Sequence, residues 1–407
     1  MADNTAIASE QLMGRAQHLV ERAGAVVIGG NYRGLGIVRS LGRRGIPVWV
    51  LTDEHLIAAA SRYTHRRLPW PATGEAQQLD YLLALGVQHR LDGWLIFPTN
   101  DEDVALVARH HTRLMEQFLL TVPPWEVIRW AYDKRLTYRL ASELGVDYPW
   151  TCCPISREEV AALDCAFPVI LKPAIKKGFN RFIHDKAWQV EDREALLRRY
   201  DEACALIDPC LIMVQELIPG AGEAQYSYAA LCMHGRPLAW LVARRIRQYP
   251  IDFGRSSSYV ETVDQPEVEE PARRLLAAMR YTGLVEVEFK RDSRDGRYKL
   301  LDVNPRVWGW HTLGRRAGVD FPYLLWRLIQ GEPAPEVRGR PGVRWVRMVT
   351  DLPAVVGEIW RGQLSPRAYL QSLRGPLEFA VFAADDPLPA LVEVPLLSYL
   401  AWKRGAV

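Results

Sequence analysis

Glu288, Asp302 and Asn304 have the side chains and the spacing of a metal site. Glu288 lies in an alternating run, and Asp302 and Asn304 lie two residues apart in a second run. The turn-rich residues 292–296 between the runs predict an antiparallel hairpin. Since strand side chains alternate between two faces, we expect the three residues to converge. Oxygen ligands without His or Cys favour Mg²⁺ or Mn²⁺, although a solvated polar face would give the same pattern.

Two lysines upstream of this hairpin are suited to binding phosphate. Lys172 follows apolar strand residues and precedes a proline, and Lys134 follows an aspartate. An ammonium group is a compact positive charge that can follow phosphate oxygens. A lone lysine is usually exposed, but the apolar surroundings of Lys172 favour a binding role.

Taken together, these residues resemble the signature of the ATP-grasp superfamily. Residues 302–306 read Asp-Val-Asn-Pro-Arg, similar to the family's Glu-x-Asn-Pro-Arg, and Glu288 matches its upstream metal-binding acid. Asp302 stands where the family usually has Glu, which keeps the charge on a shorter side chain. The resemblance covers roughly residues 25–331 and implies ATP and Mg²⁺, or Mn²⁺, as cofactors.

The same resemblance implies roles for further residues. They are Lys134, Lys172 and Lys186 for the phosphates, Gln215, Glu216 and Ile218 for adenine, Glu223 for ribose, and Arg247 and Arg306 as the catalytic guanidinium groups. We expect Arg244 and Arg245 to lie on the protein surface. Residues 175–181 are similar to the family's mobile phosphate loop, and a basic turn between strands would look the same.

The elements that position these residues begin with a strand–helix–strand unit. This unit consists of an apolar run over residues 25–28, a helical pattern to residue 43 and a β-rich run over residues 47–51. Residues 81–97 add a further helix and strand. This alternation predicts a small parallel α/β domain. The glycine-rich loop at residues 29–36 lacks the spacing of a dinucleotide fingerprint. It resembles the loop of the domain that precedes the ATP-grasp fold and usually lines the acceptor site.

The central part of the chain predicts an α+β unit with largely antiparallel sheets. Residues 125–144 have helical periodicity up to Gly145, a helix C-cap. The strand candidates are residues 168–172, 211–215, 226–233, 238–244, 284–290 and 298–303. From residue 332 the periodicity weakens.

We therefore expect a combined α/β and α+β architecture. It consists of an N-terminal Rossmann-like (pre-ATP-grasp) domain over residues 24–120, a two-lobed ATP-grasp fold over residues 121–331 and a small C-terminal extension over residues 332–407.

The charge and the cysteine pattern of the sequence argue against several classes of function. The 407 residues carry a formal net charge of only +3 without a basic cluster, which argues against nucleic acid as a partner. The cysteines form no CxxC pair and residues 1–24 contain no continuous apolar run, so we expect reduced thiols, no export signal and a cytoplasmic protein. Residues 388–402 are too short to span a membrane, and we expect packed structure rather than contact with a membrane surface.

The predicted function is that of an ATP-dependent carboxylate-amine ligase, which activates a carboxylate as an acyl phosphate and couples it to an amine. Residues 384–389 are similar to carboxylate-amine ligase-like members, including D-aspartate ligase relatives. The partners would be the two small substrates, and a homo-oligomer is compatible with the sequence. The alternatives are a carboxylase or carbamoyl-phosphate-type enzyme that uses bicarbonate, and a non-catalytic nucleotide-binding module.

Overall fold

The computed structural model describes residues 23–403, except residues 73, 177, 179, 250–255 and 334 and the side chain of residue 256. Most of the N-terminal stretch in which we expect no export signal therefore lies outside the described residues. Two positions of the predicted phosphate loop, 177 and 179, lie outside them as well.

The N-terminal unit is a parallel sheet flanked by helices. Its strands are β1 (Ala25–Ile28), β2 (Val48–Thr52), β3 (Arg66–Pro69), β4 (Leu95–Pro98) and β5 (Leu119–Leu120), and its helices are α1 (Tyr32–Gly42), α2 (Glu75–His89), α3 (Asp101–Arg109) and α4 (His111–Leu114). The strand order is β3-β2-β1-β4-β5. The apolar β1 is fully buried because parallel sheets are covered on both faces. The predicted strand–helix–strand unit is confirmed.

Residues 125–144, predicted as one helix, form two: α5 (Trp125–Tyr132) and α6 (Lys134–Glu143). Asp133 separates them because its backbone is extended and its carboxylate accepts a hydrogen bond from the Arg135 amide, which caps α6. Gly145 follows the end of α6 with a φ of +63°, as expected for a helix terminus. The break places Lys134 at the start of α6, where its amide donates to the Ala174 carbonyl.

A small antiparallel sheet forms the next unit. Its strands are β6 (Thr151–Cys152), β7 (Val169–Pro173), β8 (Trp188–Val190) and β9 (Ile212–Glu216), and its helices are α7 (Arg157–Ala162), α8 (Arg181–Asp185) and α9 (Arg193–Cys204). The strand order is β6-β9-β7-β8. The buried face of this sheet packs on Leu196 and Tyr200 of α9.

The larger sheet has the strand order β14-β13-β10-β11-β12-β16-β17, and β15 pairs with β11. Its strands are β10 (Gln225–Met233), β11 (Arg236–Tyr249), β12 (Ser256–Val263), β13 (Gly283–Arg291), β14 (Tyr298–Asn304), β15 (Val337–Arg338), β16 (Arg344–Val346) and β17 (Leu377–Phe379). The helices in this part of the chain are α10 (Pro266–Ala278), α11 (Leu313–Ala317), α12 (Phe321–Ile329), α13 (Met348–Trp360), α14 (Pro366–Ser372) and α15 (Leu388–Lys403).

The predicted hairpin is confirmed as β13 and β14. Glu288 pairs with Asp302 and Glu286 pairs with Asn304, with a register shift after Glu288. Both acidic residues of β13 therefore lie on the face that carries Asp302 and Asn304.

The C-terminal residues are joined to the larger sheet rather than appended to it. β15, β16 and β17 all pair within that sheet, so the boundary expected at residue 332 does not coincide with a break in the structure. Two buried ion pairs anchor the region. Arg247 Nη2 lies 2.8 Å from Asp351 Oδ2, and Arg39 Nε lies 2.9 Å from Asp386 Oδ2.

The apolar segment near the C-terminus is the helix α15, which is packed on one side only. Glu393 and Leu400 are buried, and Arg347 pairs with Glu393 at 3.1 Å. Leu391 is 70% exposed and Trp402 is 71% exposed, so the expectation that this segment is packed holds for one face. Among the described helices, none combines the length and the apolar character needed to cross a membrane.

Candidate functional site

A cavity of about 730 Å³ collects most of the predicted site residues. Its walls come from the N-terminal unit, the small sheet and the β13–β14 hairpin of the larger sheet. Volumes of this order are typical of small-molecule and cofactor sites.

The oxygen ligands of the hairpin lie against one another on one wall. Asn304 Nδ2 donates to Glu286 Oε2 and to Glu288 Oε1, both at 3.1 Å. Burial and the nearby charge of Glu288 raise the pKa of Glu286. Glu286 was not among the predicted ligands, although the period of two that placed Glu288 on this face places Glu286 there too.

Asp302, by contrast, turns its carboxylate toward the lysines. It forms ion pairs with Lys134 and with Lys176, whose Nζ lies 3.2 Å from Oδ2. Burial raises the pKa of Asp302, but the ammonium groups of Lys134 and Lys176 outweigh burial and hold it well below its usual range. In the structure, therefore, Glu288 contacts Asn304, whereas Asp302 contacts lysines that could bind phosphate.

This donor set fits a hard divalent cation. Within the described residues, no group of three or more His, Cys, Asp or Glu side chains is arranged to hold a metal. The hairpin instead offers two carboxylates and an amide oxygen, the ligand types that Mg²⁺ prefers. Because Glu286 and Glu288 repel each other when both are charged, a cation between them would relieve an unfavourable interaction.

Lys172 lies on the small-sheet wall of the cavity. Its Nζ donates to the Tyr138 hydroxyl at 2.8 Å, and the Tyr138 hydroxyl donates to the Leu301 carbonyl at 2.8 Å. Burial lowers the pKa of Lys172 to about 8. Lys186 also lines the cavity, so Lys134, Lys172 and Lys186 all reach it.

Residues 215–218, which were predicted to bind adenine, line the cavity, but the carboxylate of Glu216 points to partners other than a nucleotide. The Glu216 carboxylate accepts from Arg294 at 2.7 Å, from Lys299 at 3.0 Å and from the Trp150 amide at 2.9 Å. It therefore anchors the β13–β14 turn, and only the backbone of Glu216 remains for a nucleotide.

The other residues predicted to bind the nucleoside differ in their placement. Gln215 lies on the cavity wall and its amide donates to Thr151 Oγ1 at 2.7 Å. The Ile218 carbonyl accepts from Lys290 at 2.8 Å. Glu223 is exposed and is not among the residues that line the cavity.

Arg247 does not reach the cavity, which corrects its predicted catalytic placement. Register shifts on both sides of Arg247 form an irregularity in β11, and the guanidinium points to the buried Asp351. Its charge is thus neutralised in the core. Arg245, for which surface placement was expected, lines the cavity instead and lies 4.0 Å from Glu288.

The N-terminal unit supplies the remaining wall. Arg306 lies at the cavity as predicted, and it is held by Asp101, with Nε 2.6 Å from Oδ1 and Nη2 3.2 Å from Oδ2. Tyr32 and Arg33 from the glycine-rich loop line the cavity beside it. Sequence reasoning missed Asp101, but its position just after β4 was a usable signal, because ligands bind at the carboxyl ends of parallel strands.

His311 lies in the core rather than at the cavity surface. Its Nδ1 is 2.9 Å from the Trp308 carbonyl and its other ring nitrogen faces Gly36. Burial lowers the pKa of His311 to about 4. Trp310, two residues from Trp308, does line the cavity.

Comparison with known families and proteins agrees with the predicted resemblance. Residues 210–351 match a family model described as "ATP-grasp in the biosynthetic pathway with Ter operon". D-aspartate ligase from Enterococcus faecium is 26% identical over 237 residues, covering 52% of this chain and 53% of that protein. The C-terminal section of the carbamoyl phosphate synthase large chain from Methanopyrus kandleri is 24% identical, covering 52% of this chain and 39% of that protein. The chain thus spans about half or less of the length of these curated relatives.

Solved structures share the fold. L-amino acid ligase from Bacillus licheniformis superposes with a TM-score of 0.58 at 16% identity, covering 76% of this chain and 75% of that one. The biotin carboxylase domain of Hydrogenobacter thermophilus 2-oxoglutarate carboxylase, crystallised as a dimer with MgADP and bicarbonate, gives a TM-score of 0.62 at 17% identity, covering 80% and 74%. The predicted mixed α/β fold of the ATP-grasp type is confirmed.

Proposed function

We propose that this chain, which resembles the ATP-grasp ligases in its motifs, its relatives and its fold, activates a carboxylate as an acyl phosphate and joins it to an amine. The observation that carries the proposal is the convergence of lysine side chains and the Glu288–Asn304 pair on one cavity. A triphosphate needs the cations, and a bound metal needs the oxygen ligands.

ATP would lie with its phosphates among Lys134, Lys172 and Lys176. The adenine would rest on the backbone of residues 215–218, where Glu216 contributes no carboxylate. The exposure of Glu223 weakens its proposed contact with ribose, and Lys186 is close enough to the cavity to follow the phosphates.

Magnesium would be held by Glu288 and Asn304, with Glu286 and Asp302 beside them. When bound, it would neutralise charge on the phosphoryl oxygens. Asp302 already keeps Lys134 and Lys176 in place through its ion pairs. We therefore assign Asp302 two tasks, to orient the lysines and to complete the oxygen environment.

In the reaction, a substrate carboxylate oxygen bonds to the γ-phosphorus while the bond to the bridging oxygen breaks and ADP leaves. The amine nitrogen then bonds to the carbonyl carbon, the carbon–oxygen bond to phosphate breaks, and the amine loses a proton. Arg306, fixed by Asp101 and 3.3 Å from the Asn304 side chain, is placed to hold the acyl phosphate oxygens. Arg245 replaces Arg247 as the second candidate guanidinium.

The N-terminal unit is best interpreted as a Rossmann-like pre-ATP-grasp domain that supplies the acceptor wall. Its parallel strand order and the place of Tyr32, Arg33 and Asp101 on the cavity support this interpretation. We also propose a homo-oligomer, supported by the dimer named for the H. thermophilus structure. The free cysteines support a cytoplasmic location.

The alternative is chemistry that starts from bicarbonate. It is supported by the M. kandleri relative and by the bicarbonate in the H. thermophilus structure. Bicarbonate is itself a carboxylate-like oxyanion, so the phosphate and metal residues would serve both reactions.

ADP release with Mg-ATP and a panel of carboxylic acids tests the proposal, with hydroxylamine as the amine. Hydroxylamine attacks an acyl phosphate, expels phosphate and leaves a hydroxamate that is measured directly. We expect ADP and hydroxamate in equal amounts for at least one acid. ADP release that needs bicarbonate alone would favour the alternative, and ATP binding without turnover across acids and bicarbonate would favour a non-catalytic module.

A further inference from the structure

The exposed apolar side chains of this protein are concentrated near its C-terminus. Single apolar residues are normal on a protein surface, but most of the large ones exposed in the described part of the chain lie within residues 352–402. They belong mainly to α13 and α15, and none of them lines the cavity. This region is therefore a candidate for a contact that is separate from the reaction.

The outer face of α15 carries no charged side chain between positions 388 and 402. The one charged residue in that range, Glu393, is buried and pairs with Arg347 at 3.1 Å. The exposed apolar residues recur at helical spacing on the opposite side of the helix, at Leu388, Leu391, Val394, Tyr399 and Trp402. The packed structure expected for residues 388–402 thus accounts for the inner side of α15 only. A helix that is apolar on both sides needs an apolar environment on both.

The helix α13 repeats this arrangement. Its inner side is held by the buried Asp351, which pairs with Arg247. Its outer side exposes apolar residues at every fourth position, Leu352, Val356 and Trp360. The two helices meet at one contact, because Arg347 directly precedes α13 and pairs with Glu393 in the middle of α15.

The exposed charges next to these helices are mainly positive. Between residues 352 and 376, the exposed charged residues are Arg361, Arg367 and Arg374. The one acidic residue of that segment, Glu358, is half-buried. The acids near the two ends of α15 are compensated within the chain, since Asp385 pairs with Arg43 and Glu54 pairs with Lys403.

We infer that the outer faces of α13 and α15 bind the surface of an anionic membrane. Such a bilayer offers an apolar layer for protruding side chains and negative charge for the arginines. Trp360, which is 87% exposed, precedes Arg361, and Trp402 precedes Lys403; tryptophan and basic residues are the usual anchors at the boundary of membrane and water. A second copy of this chain is a poorer match, because a two-fold interface would bring the same positively charged patch together. The inference does not depend on the proposed reaction, since these residues lie outside the cavity.

Co-sedimentation of the full chain with vesicles tests the inference, using phosphatidylcholine alone and phosphatidylcholine mixed with phosphatidylglycerol. We expect binding to the mixed vesicles that weakens as salt is added, and much weaker binding to phosphatidylcholine alone. Two double variants, Leu391→Asp with Trp402→Asp and Val356→Asp with Trp360→Asp, should each lower the partition coefficient by at least about 10-fold, because they remove exposed apolar anchors. Replacing Arg367 and Arg374 by Gln should lower binding to the mixed vesicles by about 5-fold for each charge removed.

Matched controls separate membrane binding from a general effect of adding charge to the surface. Val87→Asp and Ile155→Asp change exposed apolar residues elsewhere in the chain, 73% and 63% exposed, and should bind vesicles as the wild type does. Circular dichroism should show the same folded state in every variant, because the substituted side chains are exposed.

Three results would overturn the inference. The first is a wild-type protein that does not sediment with the mixed vesicles. The second is vesicle binding by either double aspartate variant that equals binding by the wild type. The third is an equal loss of binding in the two controls. A change of oligomeric state in the aspartate variants, measured by sedimentation velocity, combined with absence of vesicle binding by the wild type, would assign these faces to a second copy of the chain instead.

Discussion

ATP binding should be coupled to proton uptake by Lys172. Burial lowers the pKa of this lysine to about 8, so in alkaline solution the nucleotide-free protein holds it partly neutral. Phosphate oxygens beside the amine would favour the charged form and return its pKa toward the ordinary value of about 10. Between these two values, ATP should therefore bind with uptake of a proton.

The expected size follows from the two pKa values. Lys172 should contribute about 0.1 proton per ATP at pH 7, about 0.5 at pH 8 and about 0.8 at pH 9. Without nucleotide, the unfolded chain keeps this proton to a higher pH than the folded chain. Lys172 should therefore make the unfolding free energy rise with pH across the same interval.

Calorimetry in buffers of different ionisation enthalpy measures the uptake, and the difference between wild type and Lys172→Met isolates this lysine from its neighbours. The variant should also bind ATP about 10- to 100-fold more weakly, because a charge-assisted contact is lost. Lys403→Met, at the exposed end of α15, should match wild type. Equal proton uptake by wild type and Lys172→Met at pH 8 and pH 9 would refute the reasoning.

Further predictions concern the metal ligands and the buried arginine. Glu288→Gln should lower kcat by at least about 100-fold and raise the Mg²⁺ concentration needed for ADP release, because it removes a charge at the hairpin. Its circular dichroism spectrum should match that of the wild type, and the control Glu267→Gln, at an exposed position, should keep full activity. A fully active Glu288→Gln would show that Glu288 is not a metal ligand. Arg247→Met should destabilise the fold by about 3 to 5 kcal/mol in denaturant unfolding, since it leaves the buried Asp351 unpaired. The double variant Arg247→Met, Asp351→Leu should recover most of that stability, and a stable but inactive Arg247→Met would restore the catalytic assignment.

The sequence contained enough information for the hairpin and its polar face. Alternation along β13 and β14 and the turn-rich residues between them determine which side chains share a face. The sequence left the partner of Glu288 open between Leu300 and Asp302, and in the structure it is Asp302. The placement of Lys172 followed from its apolar neighbours on β7, which bury the lysine at the cavity. Local patterns were sufficient because these contacts lie within one hairpin or one strand.

The missed features depend on distant partners. The irregularity in β11 separates Arg245 from Arg247, although two residues apart on a regular strand would share a face. The partner that draws Arg247 away, Asp351, lies 104 positions later in a segment without clear periodicity. The Glu216 carboxylate is likewise withdrawn from the nucleotide by Arg294, which lies in the turn between β13 and β14, 78 positions later. Sequence pattern does not show such pairings.

The most direct test of the central claim follows oxygen from the acid substrate. An acid labelled with heavy oxygen in its carboxylate attacks the γ-phosphorus, and the later attack by the amine breaks the carbon–oxygen bond, so one carboxylate oxygen must leave with phosphate. Mass spectrometry of the inorganic phosphate should therefore find a single labelled oxygen per turnover, together with ADP. Unlabelled phosphate alongside ADP, or release of AMP and pyrophosphate, would contradict the acyl phosphate route.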